Sequence, residues 1–181
     1  MIPMNSSYNL IKKNQVVDAV SSLDSTVSVY FDFDFTITSA DSEVLFLELM
    51  RSVSWGGERC MLNRKERLLI GLSRRFRFAL YERLLEGKNA RFAQEARNFF
   101  RANFVDTDLI NLIENNKRLS VLSHCPENLL RFLILDDPRI VGRKGYSNVL
   151  NKEIFSSSNS VIFSDSESDF KGDWKECFLV S

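Results

Sequence analysis

One stretch constrains the chain more than any other: residues 27–38, where an apolar, β-branched and aromatic run delivers two carboxylates, Asp32 and Asp34, at its C-terminal end. Such a run reads as a buried strand opening into a loop. In extended backbone, residues two apart point the same way, so both carboxylates can face the crevice beyond the strand end, where open α/β sheets bind ligands. Alone, the run also reads as a strand ending in a solvated acidic turn. Two carboxylates held together repel unless a cation lies between them, and a hard cation with oxygen ligands, Mg²⁺, is the first expectation.

Before this run, Val16, Val17, Val20 and Leu23 recur at helical spacing, and Asp24-Ser25-Thr26 breaks the pattern. After it the period is helical for a long distance. Leu45, Leu47, Leu49 and Met50 follow Asp41, which has an N-cap side chain. Beyond a break at Trp55-Gly56-Gly57, apolar residues from Leu68 through Phe76 to Leu85 recur at three- and four-residue steps, and Glu86-Gly87-Lys88-Asn89 stops them. Phe92, Ala96, Phe99, Phe100 and Phe104 mark another helix, and Leu109, Ile110, Leu112 and Ile113 an amphipathic segment. A strand is then predicted over 118–123, and Pro126 opens a helix at its first turn. A short strand at 139–142 and buried strands at 160–164 and 177–180 follow. Strands separated by helices predict an α/β fold with a Rossmann-like parallel sheet. The core is expected over 1–40 and 106–181, with a helical insert over 41–105.

Composition narrows the function. At 181 residues with 44% apolar content, the chain can bury one core with an insertion. Twenty-four basic residues balance twenty-four acidic ones, which argues against nucleic-acid binding by bulk electrostatics. Cys60, Cys125 and Cys177 are odd in number and widely spaced, so neither a disulfide framework nor a zinc site is indicated. No run approaches the roughly 18 apolar residues of a membrane span, and no leader is evident, so a cytoplasmic protein is expected.

Hydrophobic-Asp-x-Asp-x-Thr over 31–36, then Ser123 after a strand, then Lys144, then Asp165-x-x-x-Asp169 at another strand end resembles the motif succession of the haloacid dehalogenase-like (HAD) phosphatases. The insert resembles the helical cap of their phosphoserine phosphatase-like branch. The resemblance implies that Asp32 is the nucleophile that forms an aspartyl phosphate and that Asp34 is the general acid and base. It implies phosphate contacts from Ser123, Lys144, Phe33, Thr36 and His124. It further implies Mg²⁺ held by Asp32, Asp165 and the Asp34 main-chain carbonyl, with Asp169 orienting the lysine or metal-bound water. Lys144 is preferred to Lys152 because Lys144-Gly145 followed by Val149-Leu150 looks like the pattern of phosphoserine phosphatase relatives. Asp41 stands where those enzymes carry a substrate-contacting Glu.

The insert holds thirteen Lys and Arg against eight Asp and Glu, which suits a phosphorylated small-molecule substrate, and residues 36–42 resemble relatives that act on lipid head groups or other phosphomonoesters. Three departures from the family pattern bear on activity: Phe35 replaces a small residue, His124 replaces Gly, and Ser164-Asp165-Ser166 replaces Gly-Asp-Gly or Gly-Asp-Ser. The readings weighed beside a phosphatase are a weak or silent binding protein on the same fold, a phosphotransferase and a shorter phosphorylation-receiver domain. The short tail after Asp169 leaves the sheet edge thinly covered, and a homodimer would protect it.

Overall fold

Apolar residues that are buried on both sides become the inner strands of the sheet, and the computed structural model shows where they go. It describes residues 8–52, 54–55, 58–60, 77–86, 89–144 and 150–181. The strands are β1 (Asn9–Ile11), β2 (Ser28–Phe31), β3 (Ser54–Trp55), β4 (Glu58–Arg59), β5 (Leu119–Pro126), β6 (Ile140–Arg143), β7 (Ser160–Ser164) and β8 (Glu176–Val180). The helices are α1 (Val16–Ser22), α2 (Ser42–Ser52), α3 (Arg77–Leu85), α4 (Ala90–Phe104), α5 (Thr107–Asn115) and α6 (Glu127–Leu133). Six strands form a sheet in the order β1-β8-β7-β2-β5-β6, while β3 and β4 pair separately as an antiparallel ribbon. The long helix expected from Leu68 is described only from Arg77, and Gly56-Gly57 and Gly145 also lie outside the described residues.

The chain folds as two units. The first comprises Met1–Ser39, Asp106–Leu122 and Asn151–Ser181. Its strands run parallel: β1 with β8, β8 with β7, β7 with β2, and β2 with the first half of β5. All five residues of β7 are buried, as a strand covered on both faces requires. Phe31, Phe163 and Phe178 stack across three neighbouring strands, with ring centroids 5.2 and 4.5 Å apart. Helix α5 is capped by Asp106, whose side chain accepts from the Asp108 and Leu109 amides, and it buries Leu109, Ile110 and Ile113. Arg118 closes the end of α1 by donating to the Val20 and Asp24 carbonyls. Strand β1 was not foreseen. It pairs with β8 and is the edge strand of the sheet on that side.

The order of the strands fixes where a site can form. From β2 the chain leaves to one side for β5 and β6, then returns to the other side for β7 and β8. The carboxyl end of β2 is therefore a topological switch point, the crevice where open α/β sheets bind ligands.

The second unit comprises Ala40–Val105 and Ser123–Leu150, so the expected insert clusters together with the segment that follows mid-β5. Asp41 caps α2 as its side chain predicts, accepting from the Val44 amide at 3.1 Å. Phe46 packs on Tyr81 and Phe132 at centroid distances of 6.2 and 6.0 Å, and Asn128 donates to the Phe78 carbonyl at 3.1 Å. Strand β5 continues to Pro126, three residues past the expected end, and α6 starts after the proline. The cause is β6. A Cβ on Gly142 would lie 2.6 Å from the Cys125 carbonyl oxygen and 2.7 Å from the Glu127 Cα, so only glycine lets the backbones come this close. Among the described residues no helix is long and apolar enough to cross a membrane, and all three cysteines are free and buried.

Candidate active site

The loop after β2 is built by backbone hydrogen bonds that its own residues dictate. The Asp32 amide donates to the Phe163 carbonyl at 2.8 Å, which continues the β2–β7 ladder one residue beyond the strand. The Phe33 carbonyl then accepts from the Ile37 and Thr38 amides, both at 3.0 Å, and the chain turns sharply. Within this turn Phe35 takes φ of +59°, the left-handed region that favours glycine. A small residue at this position in the resembled pattern thus has a conformational reason.

Asp32 is buried, and its Oδ1 accepts from the Phe33 amide at 2.8 Å. The same oxygen lies 2.8 Å from Lys152 Nζ. Lys152 is itself buried and reaches Asp169 Oδ2 at 2.6 Å, so one ammonium ties two carboxylates together. The Ser164 hydroxyl donates to that Asp169 oxygen at 2.7 Å and accepts from the Ser166 amide at 3.2 Å. Ser164, which departs from the family's glycine, therefore holds Asp169 in place. Asp165 is exposed beside this group and hydrogen-bonds Asp32.

The charges explain the pKa shifts. Burial pushes the Asp32 carboxyl up to about 7; Asp169 adds to this, while Lys152 and the Phe33 amide pull it back. Burial likewise raises Asp165, against the hydrogen bond from Asp32. Asp32, Asp165 and Asp169 with one Lys152 leave two formal negative charges, which a divalent cation would neutralise. Among the described residues no three Asp, Glu, His or Cys side chains are grouped so as to hold a metal by themselves. Asp32 and the exposed Asp165, at the ends of two strands, are carboxylates that would hold such a cation.

Phe33, Asp34 and Thr36 belong to the same loop. Phe33 is buried beneath the loop, and Asp34 is half-buried. Thr36 is fully buried, and its hydroxyl has no hydrogen-bond partner. Ser123, His124, Lys144 and Asp41 belong to the second unit. There Ser123 Oγ accepts from the Cys125 amide at 3.0 Å. His124 Nδ1 accepts from the Leu150 amide at 3.3 Å. Lys144, with a side chain 75% exposed, faces Glu127 at 3.7 Å. The lysine among the carboxylates is Lys152, which the Lys144-Gly145 pattern had placed second. Its turn is anchored by Phe155, whose ring packs on Tyr30 of β2 at 5.9 Å. A lysine three residues before an aromatic, on a turn entering the strand that pairs with β2, was the available signal. Ser164 was noticed only as a departure.

The model of the haloacid dehalogenase-like hydrolase family matches residues 29–172, a span that takes in Asp32, Asp34, Lys152, Ser164, Asp165 and Asp169. No curated protein and no solved structure matches the chain.

Proposed function

Since the chain belongs to the haloacid dehalogenase-like hydrolase family, we propose that it is a Mg²⁺-dependent phosphomonoesterase that works through an aspartyl phosphate on Asp32. The observation that carries this reading is the buried line Asp32–Lys152–Asp169 at the switch point of the sheet. An Asp32 carboxylate oxygen attacks phosphorus, and the P–O bond to the alcohol breaks as Asp34 delivers its proton to the leaving oxygen. Asp34, now a carboxylate, takes a proton from water as that water attacks the phosphoenzyme and releases Asp32. Lys152 is a fixed positive charge beside the reacting carboxylate, held there by Asp169, and takes the part that the family pattern had given to Lys144. When bound, Mg²⁺ supplies further charge neutralisation for the phosphoryl oxygens. Burial of Asp32 disfavours its anion, and Lys152 with the Phe33 amide offsets part of that cost.

The test is hydrolysis of p-nitrophenyl phosphate with Mg²⁺ and after exhaustive chelation, followed by trapping of radiolabelled protein. Activity is expected only with the metal. Asp34→Asn should accumulate label from this ester, whose good leaving group hardly needs an acid, because the second step lacks its base. Asp32→Asn should take up none. Full activity without divalent ions, or label on Asp32→Asn at the wild-type rate, refutes the assignment.

A further inference from the structure

We propose that Phe35 determines specificity by packing against the leaving group of the substrate, which selects phosphomonoesters of apolar or aromatic alcohols. This rests on the phosphatase reading of the site and names its substrate class. The motivating observation is a conflict within one residue. Phe35 is the only non-glycine residue at positive φ among the described residues, at +59°, and its side chain is 52% exposed. For a bulky residue this backbone is costly, and phenylalanine has no polar group with which to offset the cost locally, as asparagine or aspartate would.

Burial does not account for the ring either. Phe31 and Phe33, the aromatic residues just before it, are fully buried, whereas Phe35 stands out of the core. The turn is fixed by other groups: the Phe33 carbonyl accepts two amides, and Asp32 accepts the Phe33 amide. Glycine would adopt the same turn without strain. An unfavourable backbone carrying an exposed ring at a functional loop points to a contact made outside the chain.

Position identifies that contact. Phe35 follows Asp34, the group proposed to protonate the leaving oxygen. The phosphoryl end of the substrate belongs with Asp32 and Lys152, so the part of the substrate nearest Phe35 is what the leaving oxygen carries. An aromatic face gains from covering apolar or aromatic carbon and gains little from a strongly hydrated polar group.

Ethyl and hexyl phosphate test this, because their alcohols have nearly the same acidity and differ in apolar length. Wild-type protein, Phe35→Gly and Phe35→Asn are compared, the last because asparagine tolerates the left-handed backbone. In the wild type kcat/KM should favour hexyl phosphate by about tenfold or more. In both variants the preference should fall to within about threefold, through KM, with kcat on ethyl phosphate retained. The melting temperature of Phe35→Gly should be unchanged or higher, since strain is relieved. A wild type that hydrolyses neither ester refutes the phosphatase reading and the inference with it. Hydrolysis of both with an unaltered ratio in the variants, or an equal fall on both esters, overturns the inference alone.

Discussion

Each unit buries an ionic cluster, and the two clusters are opposite in sign. In the first unit, two carboxylates, Asp32 and Asp169, share the single ammonium of Lys152. In the second, one carboxylate, Glu43, is shared by two guanidiniums, with Oε1 on Arg143 and Oε2 on Arg77 at 2.6 Å. The second cluster is tied to the backbone around it: Arg143 Nε donates to the His124 carbonyl, and the Tyr81 hydroxyl donates to the Glu43 carbonyl at 3.1 Å. It joins α2, α3, β5 and β6. The first has excess acid, a raised Asp32 and an exposed Asp165 beside it. Uncompensated acid at a strand end leaves a position for a ligand.

The largest expected effect tests the acidic cluster. Lys152→Met should lower kcat at least about 10³-fold, as loss of a preorganised charge does, whereas Lys144→Met should change kcat less than about twofold because its side chain is mostly solvated. Steady-state kinetics on p-nitrophenyl phosphate measures both, and equal losses would break the comparison. Stability carries the same information. Asp32 is raised from 3.8 to about 7, so in metal-free protein the folded chain keeps a proton that the unfolded chain has released. Stability therefore falls as pH rises between about 4 and about 7. Without Lys152 the anion loses its partner, and urea denaturation should show the fall extending above pH 7.

The basic cluster should answer in stability and not in chemistry. Glu43→Gln keeps the shape but leaves the buried Arg143 and the partly buried Arg77 without their carboxylate, which should cost about 3–5 kcal/mol in urea denaturation. The kcat per folded molecule should stay within about twofold, because Asp32, Asp34, Lys152 and Asp169 all lie in the other unit. A loss below about 1 kcal/mol would show that the second cluster holds no fold.

The same contrast explains what could be read from sequence. The strand-end positions of Asp32, Asp34 and Asp165 were legible because a strand fixes its neighbours locally: alternation and apolar runs give the strand, and the strand gives the loop. Glu43 and Arg143 are one hundred residues apart, and either charge alone looks like a solvated helix or strand residue. Lys152 fell between these cases. Its place depends on Phe155 reaching Tyr30, a tertiary contact, while Lys144-Gly145 offered a local pattern readable in the sequence alone. Strand β1 was missed for a similar reason, since Asn9–Ile11 is three residues long and is a strand only because β8 offers it an edge.

The smallest effect concerns Thr36, on the loop of the acidic cluster. Its side chain is fully buried, and its hydroxyl has no hydrogen-bond partner, while nearby Thr38 donates to the Phe33 carbonyl at 3.4 Å. An unpaired buried hydroxyl costs about 1–3 kcal/mol relative to water. Thr36→Val keeps the β-branched shape and removes the polar atom, so it should raise stability by about 1 kcal/mol, or the melting temperature by about 2–4 °C. Activity on p-nitrophenyl phosphate should stay within about threefold. If Thr36 binds phosphate, as the family pattern implies, the outcome reverses: KM rises at least about tenfold, since a charge-assisted hydrogen bond would be lost. Calorimetry and kinetics on the one variant thus decide whether this polar atom belongs to the site or is a cost carried by the loop.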